Sequence, residues 1–272
     1  MRAQARPRQA RGRTGVDGAE FVRSYRASLK AVSRDYARLI ESPGEEEVHA
    51  ARTATRRAEA HLALLPRRVR AGRACKELKE RYRRVMKTTG EVRDMDIIGA
   101  KLSREPGGER ALTELAAATR KDAVRAARDA VASASKLDAP PLAASDAHPG
   151  RLLRRLEKVT ARLSSEVDGL VPAVVEDPSD MKDLHRLRID IKRLRYLAES
   201  VAPKGSAAAA DLEVVQDALG SIHDWDVSIA YVKKLSPRSR LLPRWRARRS
   251  AEFSDLVERL RGPIARGAPR NL

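Results

Sequence analysis

One two-part pattern occurs twice in this chain, and it limits the fold more than any other feature. Residues 49–57 read HAARTATRR and residues 185–193 read HRLRIDIKR, both of the form H-x-x-R-x-x-x-[RK]-R. Downstream lie GEVRDMDII at 90–98 and GSIHDWDVS at 220–228. These share a Gly, an aliphatic, a basic residue, Asp, any residue, Asp and an aliphatic. The separation is 45 residues from His49 to Asp94 and 39 from His185 to Asp224. Two matched blocks in one order at similar spacing mark an internal duplication. The fold must then be two copies of one unit. Between them, residues 136–150 read KLDAPPLAASDAHPG, with three Pro and mostly small residues, which reads as a linker.

The predicted organisation is an Arg-rich tail at 1–16, repeat 1 at 17–136, a linker at 137–148, repeat 2 at 149–262 and a C-terminal tail at 263–272. The first segment, MRAQARPRQARGRTGV, has five Arg and no acid. Without an apolar stretch it is no signal peptide, and it reads as a disordered cationic tail. Ala, Leu and Arg dominate the rest and no alternating strand pattern emerges, so both units are expected to be helical throughout. The predicted helices run over 18–41, 71–89, 91–103, 109–136, 149–171, 207–219, 222–235 and 242–261, besides the two that carry the His motif. Ser42 is expected to cap the first motif helix, with Pro43 in its first turn, and Ser179 or Asp180 the second. Pro66 and Pro203 are expected to end them. The fold class is all-α, two pseudo-symmetric helical bundles.

On a helix each residue turns about 100° from the last, so positions three and seven further on return to within roughly 60° of the start. His49, Arg52 and Arg56 therefore form one narrow ridge, and His185, Arg188 and Lys192 another. Arg57 and Arg193 lie about 80° round. The second motif helix has an apolar face of Leu184, Leu187, Ile191, Leu194, Leu197 and Ala198, whereas the first has mostly Ala there, with Val48, Leu62, Leu64 and Leu65. Like charges at helical spacing repel by a few tenths of a kcal/mol per pair. Solvated helix faces usually mix charges at i, i+4, and these ridges do not. All-basic rows recur at Lys76, Lys79, Arg83 and Lys87; at Arg23, Arg26, Lys30 and Arg34; and at Arg151, Arg155, Lys158 and Arg162. Face to face, the two ridges would line a groove or pore suited to a chain of phosphates.

The formal net charge is +19 with a sequence pI near 10.7, which calls for an anionic partner: nucleic acid, polyphosphate or a membrane surface. Of the 56 cations 43 are Arg, which fits either Arg-preferring codons or bidentate phosphate recognition. A lone Cys75 excludes a disulfide framework and a thiolate metal cage, and no apolar run is long enough to span a membrane. Placed just after Gly90 and Gly220, the pairs Asp94/Asp96 and Asp224/Asp226 are expected near helix starts, where they would cap amides or pin Arg. The alternative is a metal site of His and Asp.

H-x-x-R-x-x-x-[RK]-R followed by G-x-[VI]-[RH]-D-x-D, twice in one helical chain, resembles the CHAD family, the conserved histidine α-helical domain. The resemblance covers roughly residues 17–262 and is clearest in LHRLRIDIKRLRY and VVQDALGSIHDWDV. It implies a pair of four-helix bundles about a pseudo-twofold with a basic central pore. It also implies binding of long-chain inorganic polyphosphate and residence at cytoplasmic polyphosphate granules, with no cofactor and no catalysis. Carried over position by position, the pore residues are His49, Arg52, Arg56, Arg57, His185, Arg188, Lys192 and Arg193, with Lys79, Arg83 and Arg195 as flanking cations.

Two other classes compete. A non-specific nucleic-acid-binding protein would share the charge, but the chain has no helix-turn-helix, RNP or zinc-finger signature and few aromatics to stack bases. For an enzyme, His223-Asp224 resembles a metal-phosphohydrolase dipeptide. The first repeat has Arg93 in the place of that His, an Arg is a poor neighbour for a metal, and there is no Gly-rich phosphate loop.

Overall fold

The structure, a computed structural model, describes residues 17–106, 109–201 and 207–261. Both predicted tails, 1–16 and 263–272, and the expected stop at Pro203 lie outside the described residues. Those residues form nine helices and no strand: α1 (Gly18–Glu41), α2 (Glu45–Leu64), a short α3 (Arg67–Ala71), α4 (Arg73–Ser103), α5 (Arg110–Ser135), α6 (Pro149–Glu176), α7 (Met181–Val201), α8 (Ala207–Leu235) and α9 (Leu241–Arg261). The protein is all-α. A 3₁₀ turn, Ala144–Ala147, sits between α5 and α6 and packs on α1.

In the first half α1 packs on α2, α2 on α4 and α4 on α5; in the second, α6 packs on α7, α7 on α8 and α8 on α9. The halves meet through their motif-bearing helices, α2 against α7 and α4 against α8. The apolar face of α7 is buried as its periodicity requires: Leu184, Leu187, Ile191, Leu194, Leu197 and Ala198 are all core. On α2 the core positions are Val48, Ala51, Ala54, Ala58 and Leu62. With so many small side chains, helix backbones can pack closely around α2.

Two expectations about helix ends, at Ser42 and at Gly90 and Gly220, are corrected, and of the two caps expected for α7 one is selected. Ser42 closes α1, its amide donating to the carbonyl of Arg38, and α2 begins only at Glu45 behind Gly44. Glu45, Glu46 and Glu47 then favour the positive end of the helix without a side-chain cap. For α7 the cap is Asp180, which accepts from the amides of Lys182 (2.8 Å) and Asp183 (3.1 Å). Gly90 and Gly220 do not break their helices, because α4 and α8 run straight through them. A Cβ at Gly90 would stand 3.3 Å from the guanidinium of Arg52, so the glycine leaves room for that side chain to lie across α4. That proximity offsets the cost of about 1 kcal/mol for Gly in a helix. Nothing crowds Gly220, and its glycine has no packing explanation.

A second apolar cluster joins the halves away from α2 and α7. Ile98, Leu102 and Leu112 of α4 and α5 pack with Trp225, Leu241, Leu242 and Trp245 of α8 and α9. Glu105, just past α4 and 6% exposed, is clasped from α9. It accepts from Trp245 Nε1 (2.8 Å) and Arg248 Nη1 (3.0 Å), and pairs with Arg244 (2.9 Å). Removing a buried carboxylate strands its partners, at a cost of about 3–5 kcal/mol. Glu105→Ala is therefore expected to lower Tm by roughly 6–15 °C, read by thermal denaturation. Arg73→Ala, which breaks only the exposed pair with Glu77 (2.6 Å), should change Tm by about 1–2 °C at most.

Candidate anion-binding site

Antiparallel packing of α2 on α4 sets Arg52 against the middle of α4, where its Nη1 donates to the Met86 carbonyl (2.8 Å) and Thr89 Oγ1 (3.1 Å). Turned the other way, α2 meets α7. The two ridges share this seam: Arg52, Arg56 and Arg188 all lower the proton affinity of Lys192, Arg56 and Arg188 lower that of Arg52, and Arg56 lowers that of Arg188. Desolvation is the larger cause in every case. It brings Arg52 and Arg188 down to about 10 and Lys192 down to about 6. Arg56 is lowered for the same reason. Arg56, Arg188 and Lys192 are half-buried and make no ion pair or side-chain hydrogen bond with any carboxylate among the described residues. Arg188 Nε is buried without a hydrogen-bond partner among the described residues.

The D-x-D segments complete the seam from α4 and α8. They lie mid-helix, so they cap nothing, contrary to their expected place at a helix start. Residues two apart on a helix point about 200° apart, and the two carboxylates of each pair do different things. Asp94 and Asp224 face the cations, and burial raises the pKa of both against the lowering pull of Arg52, Arg188 and Arg93. Asp96 and Asp226 face outward and hold the outer helices: Asp96 pairs with Arg120 of α5 (2.5 Å) and Asp226 with Arg249 of α9 (2.9 Å). Arg pinning is therefore the role of the second Asp in each motif. No three His, Cys, Asp or Glu side chains converge as metal ligands among the described residues.

His49 and His185 sit exposed at the end of the seam where α2 and α7 begin. Partial burial and the neighbouring cations lower the pKa of both. His185 lies 5.7 Å, ring to ring, from His223, whose pKa burial and Arg188 bring down to about 3. His223 and Arg93 are contributors that the ridge geometry did not single out; the basic residue before each D-x-D was their only sequence signal. Glu59, one turn beyond Arg56, is a third carboxylate, raised by desolvation against the pull first of Arg56 and then of Arg193, Lys79 and Arg83, so Arg56 feels its charge without a direct ion pair.

The remaining expected residues stand further out. Exposed Arg57 donates to Glu199 of α7 (3.2 Å), tying the halves together. Arg193 pairs with Asp190 (3.0 Å) and Arg83 with Glu80. Arg195 turns to Glu213 of α8 (2.7 Å) and stacks over Tyr196. Lys79 and Arg83 line α4 beyond Glu59. The cations thus form an inner group of Arg52, Arg56, Arg188 and Lys192 and an outer, mostly paired group.

The central helices thus gather, from both halves, cations that pair with no carboxylate among the described residues. A family model described as the CHAD domain matches residues 23–233, and the chain belongs to the CHAD domain family. The fold is similar to the crystal structure of the CHAD domain from the plant Ricinus communis, at 20% identity, TM-score 0.56, over 100% of this chain and 93% of that one. It is also similar to PptA from Streptomyces chartreusis, at 19% identity, TM-score 0.61, over 92% of this chain and 98% of that one. Among curated proteins, nothing matches the chain. No described helix is long and apolar enough to cross a membrane.

Lys192 yields a prediction about stability. Its pKa is about 6 in the folded chain and near 10.5 when exposed, so the unfolded chain holds the extra proton between those values. Stability should therefore rise with pH from about 6 toward 10.5. Lys192→Met removes the penalty and is expected to stabilise the protein by about 1–4 kcal/mol. The gain should be full below pH 6 and gone by pH 10.5, as followed by denaturant unfolding across pH.

Proposed function

We propose that this chain binds long-chain inorganic polyphosphate in the seam between α2 and α7, with α4 and α8 as walls, and that the two halves enclose it as a basic pore about a pseudo-twofold axis. The observation that carries the reading is the crowding of Arg56, Arg188 and Lys192 from both halves with no carboxylate paired to them among the described residues. A linear polyanion supplies closely spaced charges along one dimension, as the ridges do. Arg52 and Arg188 offer guanidinium forks to phosphate oxygens, Lys192 a point charge, and His49 and His185 donors at the mouth. Family membership supports polyphosphate over other anions, and residence at polyphosphate granules follows from the same reading. Asp94 and Asp224 moderate the repulsion rather than hold a metal, so the role is binding without turnover.

Calorimetric titration with long-chain polyphosphate, set against duplex DNA of equal charge, tests this. Polyphosphate should bind clearly more tightly than DNA, and affinity should fall steeply with salt as counterions are released. His185→Ala, Arg188→Ala and Lys192→Ala together should abolish the preference. Equal binding of both polymers, untouched by the triple variant, would make the charge generic and sink the proposal. Incubation of pure protein and polyphosphate with Mg²⁺ should release no inorganic phosphate.

Proton linkage gives a second check. At pH 7.5 free Lys192, with a pKa of about 6, is mostly neutral; a bound phosphate chain raises that pKa. Binding should therefore take up protons, and affinity should increase as pH falls from about 8 to 6. Titrations in buffers of different ionisation enthalpy measure the uptake, which Lys192→Met should reduce.

A further inference from the structure

The two halves differ at one end of the seam. In the first half the position matching His223 is Arg93, which bonds to Glu45 at the start of α2 and covers the space between α2 and α4. In the second half no such bridge exists among the described residues. Met181 replaces the glutamate, His223 leans on His185, and a cavity of about 400 Å³ opens between α7 and α8. Its apolar lining is Leu184, Leu219, Ile222 and Val227. The two imidazoles, the cations Lys182, Arg186 and Arg188, and one carboxylate, Asp226, which Arg249 holds in an ion pair, complete it. Arg188, whose Nε is buried without a hydrogen-bond partner among the described residues, thus belongs to both the cavity and the cation seam.

We infer that this cavity takes the nucleoside end of a nucleoside polyphosphate whose phosphates lie on Arg188 and its neighbours in the seam. The inference rests on the anion site proposed above and adds a ligand class to it. An inorganic phosphate chain has no apolar part and gains nothing from such a lining, whereas a base has faces to set against apolar side chains and imidazoles. The volume is in the range of small-ligand pockets, apolar walls with a few convergent polar groups being their usual make-up. A long acyl chain would outgrow it, and its cationic side leads directly to phosphate donors.

The test compares ATP with inorganic tripolyphosphate, which carries the same number of phosphates, a greater negative charge and no nucleoside. Charge alone favours tripolyphosphate. Calorimetry of the full chain should instead show ATP binding at least about tenfold more tightly. Val227→Trp, which fills the cavity from its half-buried wall, should reduce that advantage to about twofold or less while leaving tripolyphosphate unchanged. Met181→Gln, at an exposed position that tolerates change, should weaken ATP alone and guards against misfolding of the first variant. Equal binding of the two ligands, or an ATP advantage that survives both variants, would overturn the inference and leave the anion site standing. Failure of tripolyphosphate and long-chain polyphosphate to bind at all would instead overturn the underlying reading.

Discussion

Crowding of Arg52, Arg56 and Arg188, which with burial drives Lys192 toward its neutral form, is the constraint around which this molecule is built. Each belongs to a helix whose opposite face is locked into the core, α2 by Ala51, Ala54 and Ala58 and α7 by Leu187, Ile191 and Leu194. The helices cannot rotate the cations outward without exposing that apolar surface. A few tenths of a kcal/mol of like-charge repulsion per helical pair is small beside about 1.5–3 kcal/mol for each large buried side chain. Packing therefore wins, and the cations stay crowded and partly desolvated. The polyanion proposed to bind there would relieve the crowding that the core imposes.

Carboxylates set how far this goes. Asp94 and Asp224 come from matching positions in the two halves and approach the same cations. The charge in the seam is thus reduced but not cancelled. Their partners in the motif, Asp96 and Asp226, work on the outside, fixing α5 through Arg120 and α9 through Arg249. One helical segment therefore ties the outer helix to the inner one while tuning the site, and the Glu105 clasp holds the halves in register from the other side.

Much of this was legible from spacing. The ridge residues stand 3 and 4 apart, which no backbone but a helix puts on one face, and their repetition in both halves is what singled them out. The apolar face of α7 was readable for the same reason. What escaped the sequence depends on contact between segments remote in the chain. Gly90 reads as a helix stop until Arg52, 38 residues earlier, is seen to cross it. Arg57, Arg193 and Arg195 belong to the motif by position, yet Glu199, Asp190 and Glu213 claim them. No local pattern tells a paired cation from an unpaired one. The difference between Arg93 and His223 was visible, but not that one bridges to Glu45 while the other leaves a cavity.

In the proposed site, recession of the inner cations would decide what kind of polyanion they favour. Duplex DNA presents its phosphates on a wide, stiff cylinder with one charge per about 1.7 Å of axis. Such a surface meets exposed groups such as Arg57 and Arg193, and at +19 overall it would be attracted without selectivity. It cannot bring its phosphates down between two helices packed roughly 8–10 Å apart. A single unbranched phosphate chain can follow the seam and meet Arg188 and Lys192 from the side. In the proposed site the outer cations would contribute attraction shared by all polyanions, and the half-buried ones discrimination by width. Selectivity on that proposal comes from the depth at which charge is held, not from its amount.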